Sequence, residues 1–317
     1  MNEQIVVQGT PRLILHHQPS TTETTRGHVL YIHGATFPAS LAIGFRFDGW
    51  SWADELAAGG FAVWGLDFAG FGASERYPQM EAPADASLPL GRVEAASQQI
   101  ERAVRTILDR QHVSHLNLLA HSWGTLAAGH FAAHFPEQVE RLVLFGPITR
   151  RDGPSAAAPF PAYRDMTLEA QWQRFIADVP ATEEAVLSPH HFAAWGAAYL
   201  ATDPTSGTRQ PASVRLPGGS AADIAAAWSG DFPYDPGRIR VPTLIVRGAW
   251  DSLVTDTDAR WLFDALTAAP IKQDVKIGRA THLMHLETGR FQLYQVVQRF
   301  FEGHDIPAEQ RNTPCLP

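Results

Sequence analysis

The stretch Leu116-Asn117-Leu118-Leu119-Ala120-His121-Ser122-Trp123-Gly124-Thr125 decides the reading of this chain. Its first half is a short apolar run of strand type, and residues 125–134 behind it carry a helical pattern. Ser122 therefore stands in a sharp strand-to-helix turn, which pushes its hydroxyl out above the sheet. Such a turn is crowded, so the positions two before and two after the serine must be small. Ala120 and Gly124 meet that condition. The helix N-terminus also favours negative charge developing beside the serine. The competing reading is an N-cap serine followed by a chance glycine, and it leaves the preceding strand without a role. Ser122 is the candidate nucleophile.

Outward from this turn the same alternation continues. Strand-type runs at residues 5–7, 12–15, 28–33, 61–66 and 142–145 are interleaved with helical patterns at 53–58 and 95–110. In the last of these, Ile100, Val104, Ile107 and Leu108 share one face and charges occupy the other. Continuous apolar strands separated by helices indicate a parallel sheet covered on both faces, the α/β class. The rhythm breaks between about residues 148 and 235. That stretch is rich in proline, with helical pieces at 168–179, 189–201 and 220–229 and no convincing buried strand. Alternation resumes with strands at 241–246 and 274–277 and helices at 258–269 and 291–301. The expected organisation is a doubly wound, mostly parallel core formed by residues 1–147 and 236–317. A mostly helical insertion, 148–235, lies over it.

Composition narrows the function classes. The 317 residues carry a formal charge of -8, with Lys272 and Lys276 the only lysines and no basic run. A nucleic-acid partner is not expected, because binding a phosphate backbone needs clustered positive charge. The single cysteine, Cys315, excludes an internal disulfide framework and a cysteine-based zinc site. The first residues lack a basic and then apolar secretory signal, and no apolar run approaches membrane-spanning length. A cytoplasmic protein with no membrane partner is expected. Oligomeric state is not legible.

A serine hydroxyl needs a base to take its proton and an acid to orient that base. Residues 241–251 read as a buried strand ending in a turn that carries Asp251, and Gly278-Arg279-Ala280-Thr281-His282 follows another short strand. Both candidates lie beyond carboxyl ends of strands, the rim where sites form in open α/β sheets.

With Ser122, Asp251 and His282 in that chain order, the sequence resembles the α/β-hydrolase superfamily over nearly its whole length. The resemblance implies a helical cap inserted after the sixth core strand and a serine hydrolase that needs no cofactor. In the family the histidine commonly follows Gly-x-Gly and precedes a glutamate by five positions. His282 with Glu287 matches the second feature, which favours it over His285, left to packing or surface polarity near the site. Asp67-Phe68-Ala69-Gly70-Phe71-Gly72-Ala73-Ser74 resembles the family's Asp-x-x-Gly-x-Gly-x-Ser loop, so Asp67 is read as a turn-stabilising side chain. Asp152 is the weaker alternative acid, in an arginine-rich loop that reads as surface. The resemblance also places the oxyanion hole on the backbone N–H groups of Ala35, after the His33-Gly34 pair, and Trp123, after the nucleophile. His33 is read as a brace for its loop.

Relatives that use an aspartate nucleophile, capped dehalogenases and epoxide hydrolases, are disfavoured by Ser122. The Ser-Trp-Gly core is similar to that of proline iminopeptidases, but their His-Gly-Gly-Pro-Gly loop is replaced here by His33-Gly34-Ala35-Thr36-Phe37. Glu169, Glu183 and Glu184, which could hold a substrate ammonium, read as solvated charges. No metal site is expected: His130 and His134 lack the glutamate of a His-Glu-x-x-His motif, and Gly70-x-Gly72 lacks the third glycine of a dinucleotide fingerprint. The inserted segment is rich in aromatics, among them Phe160, Trp172, Phe175, Trp195 and Trp228, each read as cap core before pocket wall. The expectation is hydrolysis of a carboxylic ester, lactone or amide of a small apolar molecule through an acyl-enzyme. The alternatives are an aminopeptidase or amidase, a triad-retaining ligand receptor, and non-hydrolytic chemistry such as acyl transfer or cofactor-free oxygenation.

Overall fold

In the computed structural model, which describes Met1 and residues 3–304, the chain opens with an antiparallel pair. These strands are β1 (Glu3–Val7) and β2 (Leu13–Gln18). The core continues through β3 (Gly27–Ile32), α1 (Trp52–Ala58), β4 (Phe61–Asp67) and α2 (Val93–Gln111). It then runs through β5 (Leu116–His121), α3 (Gly124–His134) and β6 (Val139–Phe145). An insertion follows, made of β7 (Tyr163–Thr167), α4 (Leu168–Ile176), α5 (Pro189–Ala201), β8 (Ser213–Pro217) and α6 (Gly219–Trp228). The chain returns to the core with β9 (Thr243–Gly248), α7 (Asp256–Ala265), β10 (Lys272–Ile277) and α8 (Arg290–Phe301). Cys315 lies outside the described residues.

The main sheet has eight strands in the order β1-β2-β4-β3-β5-β6-β9-β10, parallel from β4 to β10. Every residue of β4 and β5 is buried, which is why these strands read as unbroken apolar runs rather than as alternating ones. α2 buries Val93, Ala96, Ile100, Ala103 and Ile107, one stripe at helical spacing, against the sheet. α1 begins with a capping box in which Ser51 and Asp54 satisfy each other's backbone N–H. Leaving β3, the chain pairs β4 on one side and then crosses back to place β5 on the other. This is a topological switch point, where the loops leaving two neighbouring strands part and open a crevice. Ile32 of β3 stands opposite Ala120 of β5, so the loops carrying Ala35 and Ser122 are neighbours at that crevice.

The insertion differs from the expectation in one respect. It holds the three expected helices and also the antiparallel pair β7–β8. Each strand is five residues long and broken by charge, with Arg164 and Asp165 in one and Arg215 in the other, so neither shows an apolar run. The segment is tied to core loops at buried points. Trp195 Nε1 donates to the Leu41 carbonyl at 2.9 Å and Gln171 Nε2 to that of Thr36 at 3.3 Å. Among the described residues no helix is long and apolar enough to cross a membrane.

Candidate active site

Ser122 adopts a left-handed backbone conformation (φ 56°), which a residue with a side chain holds only when its surroundings enforce it. The enforcement is visible. Its N–H donates to the Phe145 carbonyl at 2.9 Å, anchoring the turn to β6. A Cβ at Gly124 would stand 2.4 Å from the His33 carbonyl oxygen, so only glycine lets α3 start this close to the neighbouring loop. The result is a buried hydroxyl whose Oγ lies 2.7 Å from His282 Nε2. On the other side of the ring, His282 Nδ1 is 2.8 Å from Asp251 Oδ2. Asp251 Oδ1 accepts the N–H groups of Leu253 (2.9 Å) and Val254 (3.2 Å), which fixes the carboxylate in its turn. Three residues spread over 160 positions thus meet in one hydrogen-bonded line. Asp152, by contrast, is exposed and paired with Arg150.

His33 is wholly buried and braces its loop, as expected. Its Nε2 accepts the N–H of Phe68 at 3.1 Å and its Nδ1 is 2.7 Å from the Gly34 carbonyl. Asp67 joins separate segments, accepting N–H groups from Ala39 (3.0 Å) and Ala73 (3.1 Å) and lying 2.8 Å from His16 Nε2. The loop bearing Ala35 is therefore held from two sides. Among the described residues neither the Ala35 nor the Trp123 N–H donates a hydrogen bond.

Three contributors escaped the sequence reading. Gly146, with φ 54° just after β6, leaves room for the His282 ring: a Cβ there would sit 3.0 Å from His282 Cε1. A glycine directly after an apolar strand was the available signal. His121 Nε2 donates to the His282 carbonyl at 3.0 Å, linking the strand before Ser122 to the loop that carries His282. Trp123 Nε1 donates to Asp223 of α6 at 2.9 Å, and Asp223 also pairs with Arg92. No local pattern announces such contacts between distant segments.

His285 is fully buried, not at the surface, stacked against Phe37 and packed beside His121, with neither ring nitrogen hydrogen-bonded. Burial lowers its pKa to about 3 and that of His33 to about 4, and holds His121 well below the ordinary value. Glu287 is displaced the other way, to about 7, by burial, while Thr281 Oγ1 donates to it and opposes the shift. Stability should follow pH accordingly. The three histidines charge only after unfolding, so their contribution falls as pH drops below about 6.5. Glu287 favours the folded state while protonated, so its contribution falls as pH rises from about 4.5 to about 7. The histidines outnumber this one carboxyl, so stability should fall overall as pH drops toward 5. Thermal melting between pH 7.5 and 5 (an interval of about 2.5 units) checks this. A Tm that rises or stays level on acidification would refute it.

A cavity of about 330 Å³ opens over Ser122 and Ala35, walled mainly by Ile148, Ile224, Trp228 and Leu253. Larger hollows are remote from this chemistry, such as the one between α7 and β10 around Asp256 and Lys272. Of the aromatics in the inserted segment, Phe160 and Trp228 reach the cavity. Trp172, Phe175, Phe192, Trp195 and Tyr199 pack on one another instead. Glu169 and Glu184 are exposed, and Glu183 pairs with Arg279. His130 hydrogen-bonds Ser97 and His134 turns back to the His130 carbonyl. Among the described residues no group of three or more potential metal ligands converges.

Comparison with solved structures places this architecture. The chain is similar to a thioesterase domain from the curacin biosynthetic pathway, with 19% identity, 95% and 99% of the two chains covered and a TM-score of 0.62. A thermophilic esterase from Thermogutta terrifontis matches at 18% identity, 95% and 98% coverage and a TM-score of 0.59. An epoxide hydrolase from Vigna radiata matches at 12%, 95% and 98%, and 0.61. At such identities the likeness is one of fold. No curated protein sequence matches significantly. The family model described as alpha/beta hydrolase fold matches residues 27–288, most of the chain and every residue of the Ser122–His282–Asp251 line. The chain belongs to the α/β-hydrolase fold family.

Proposed function

We propose that the protein is a serine hydrolase that cleaves a carboxylic ester, or a related lactone or amide, of a small and largely apolar molecule. The observation that carries this is the hydrogen-bonded line from Ser122 Oγ through His282 to Asp251 at the mouth of an apolar cavity. Ser122 Oγ attacks the substrate carbonyl carbon while its proton passes to His282 Nε2. Asp251 stabilises the imidazolium and holds the tautomer in which Nε2 is free to accept. The carbonyl oxygen becomes an alkoxide, received by the N–H groups of Ala35 and Trp123, each worth on the order of 3 kcal/mol at the transition state. Collapse expels the alcohol, which takes the proton from His282, and leaves the acyl group on Ser122. Water then gives a proton to His282 and attacks the acyl carbon, releasing the acid and restoring the serine. Residues 148–235 serve in this reading as the cap that selects the substrate. An aminopeptidase is the poorer fit, because a substrate ammonium would meet arginines at this cavity.

The test is covalent labelling. Treatment with a fluorophosphonate should add a single label, mapped to the peptide containing Ser122, and Ser122→Ala should abolish it. Labelling elsewhere, or none on folded protein, would overturn the assignment.

A further inference from the structure

The cavity over Ser122 is apolar on most of its wall, yet Arg164 of β7 and Arg174 of α4 also line it. Both side chains are largely withdrawn from solvent. The Nε of each is buried without a hydrogen-bond partner, and among the described residues neither guanidinium forms an ion pair. Other arginines of the same segment are all matched: Arg150 to Asp152, Arg151 to Asp258, and Arg209 and Arg215 to Asp165. Asp178 is the acid whose charge reaches Arg174, and it is engaged by the Ser252 N–H. Arg164 and Arg174 instead repel one another; burial and this repulsion hold the Arg174 pKa below its ordinary value. A buried cation without a counter-ion is unfavourable, and a chain of net charge -8 has carboxylates to spare. The pair is thus left unmatched beside the candidate nucleophile, in a cavity too small for a macromolecule.

Neighbouring groups extend this polar corner. Gln171, one turn before Arg174 on α4, holds the Thr36 carbonyl next to Ala35, and its own Oε1 is buried without a partner. A ligand held by Arg174 would therefore brace α4 against the loop that carries the candidate oxyanion donor.

Resting on the serine-hydrolase reading above, we infer that the substrate carries an anionic oxyacid group, carboxylate or phosphonate-like, which Arg164 and Arg174 bind in the same cavity as the bond that Ser122 attacks. Guanidinium forks suit such groups because they can donate two parallel hydrogen bonds to two oxygens. The apolar wall of Ile148, Ile224 and Trp228 then accommodates a short hydrocarbon spacer between anion and carbonyl.

The experiment compares kcat/KM of the full-length protein on matched pairs of esters. On the acyl side these are the para-nitrophenyl monoesters of glutarate and adipate beside their methyl-capped diesters. Para-nitrophenyl phosphonobutyrate with its dimethyl ester tests whether phosphonate replaces carboxylate. On the alcohol side, para-acetoxybenzoate is set beside its methyl ester. At least one anionic ester should exceed its neutral partner by about tenfold or more. Arg164→Gln and Arg174→Gln should each collapse that ratio toward unity, chiefly by raising KM for the anionic member. A ratio at or below unity for every pair, or variants that leave the ratio intact, would overturn the inference while the hydrolase reading stands. Should no ester turn over and Ser122 resist labelling, the hydrolase reading falls and calorimetry decides the anion site alone. Binding of glutarate or phosphonobutyrate that is lost in Arg174→Gln supports it, and no binding at millimolar concentration rejects it.

Discussion

Ser122→Ala is expected to lower kcat on a neutral activated ester by on the order of 10⁶-fold, and His282→Ala by a similar factor. The double variant should be no slower than either single one. In the proposed mechanism one proton moves along the single 2.7 Å contact between Ser122 and His282, so removing either end disables the same event. Residual activity should persist above the uncatalysed rate, because the candidate oxyanion donors are backbone N–H groups that neither substitution removes. His285→Ala is the internal control. Its ring packs beside His121 and makes no hydrogen bond, so truncation should leave the rate within a few-fold of wild type while lowering stability through the space it vacates. Initial rates and thermal melts on the four variants separate these effects. If Ser122→Ala kept a tenth of wild-type turnover, or His285→Ala fell as far as His282→Ala, the assignment would be wrong.

Asp251→Asn is expected to fold normally and to lose up to ~10⁴-fold in rate. The asparagine oxygen can still accept the N–H groups of Leu253 and Val254, so the turn should survive. Its amide nitrogen would then face His282 Nδ1 and donate to it. That donation puts the histidine proton on Nε2, the atom that must accept the serine's proton, and the base is blocked. Circular dichroism with kcat/KM for the variant checks both halves. A correctly folded variant within a few-fold of wild type would mean that another acid orients His282. Asp152 could not replace it without leaving its exposed pairing with Arg150.

The α/β class and the three members of the Ser122–His282–Asp251 line were legible because each rests on a local constraint. An apolar run, a following helix and small flanking residues are all that a strand-to-helix turn at Ser122 requires, and each is written within ten positions. Asp251 and His282 likewise stand just beyond strands whose own residues identify them. The short strands β7 and β8 were not legible, since Arg164, Asp165 and Arg215 break their patterns and each is stabilised by pairing with the other.

By itself, the sequence determined which segments of the core are strands and helices, and which residue types stand at their ends. Hydrophobic periodicity and turn sterics act over a few residues and leave a direct trace there. The order of strands across the sheet was decided only in the tertiary structure, and with it the adjacency of the Ala35 and Ser122 loops at the switch beside β3. So were the close approach of Gly146 to His282, the burial of His285, and the meeting of two unmatched arginines over the serine. Each depends on groups far apart in the chain arriving at one place. Nothing in a local window reports whether a charge will find a partner, because the partner comes from elsewhere in the fold.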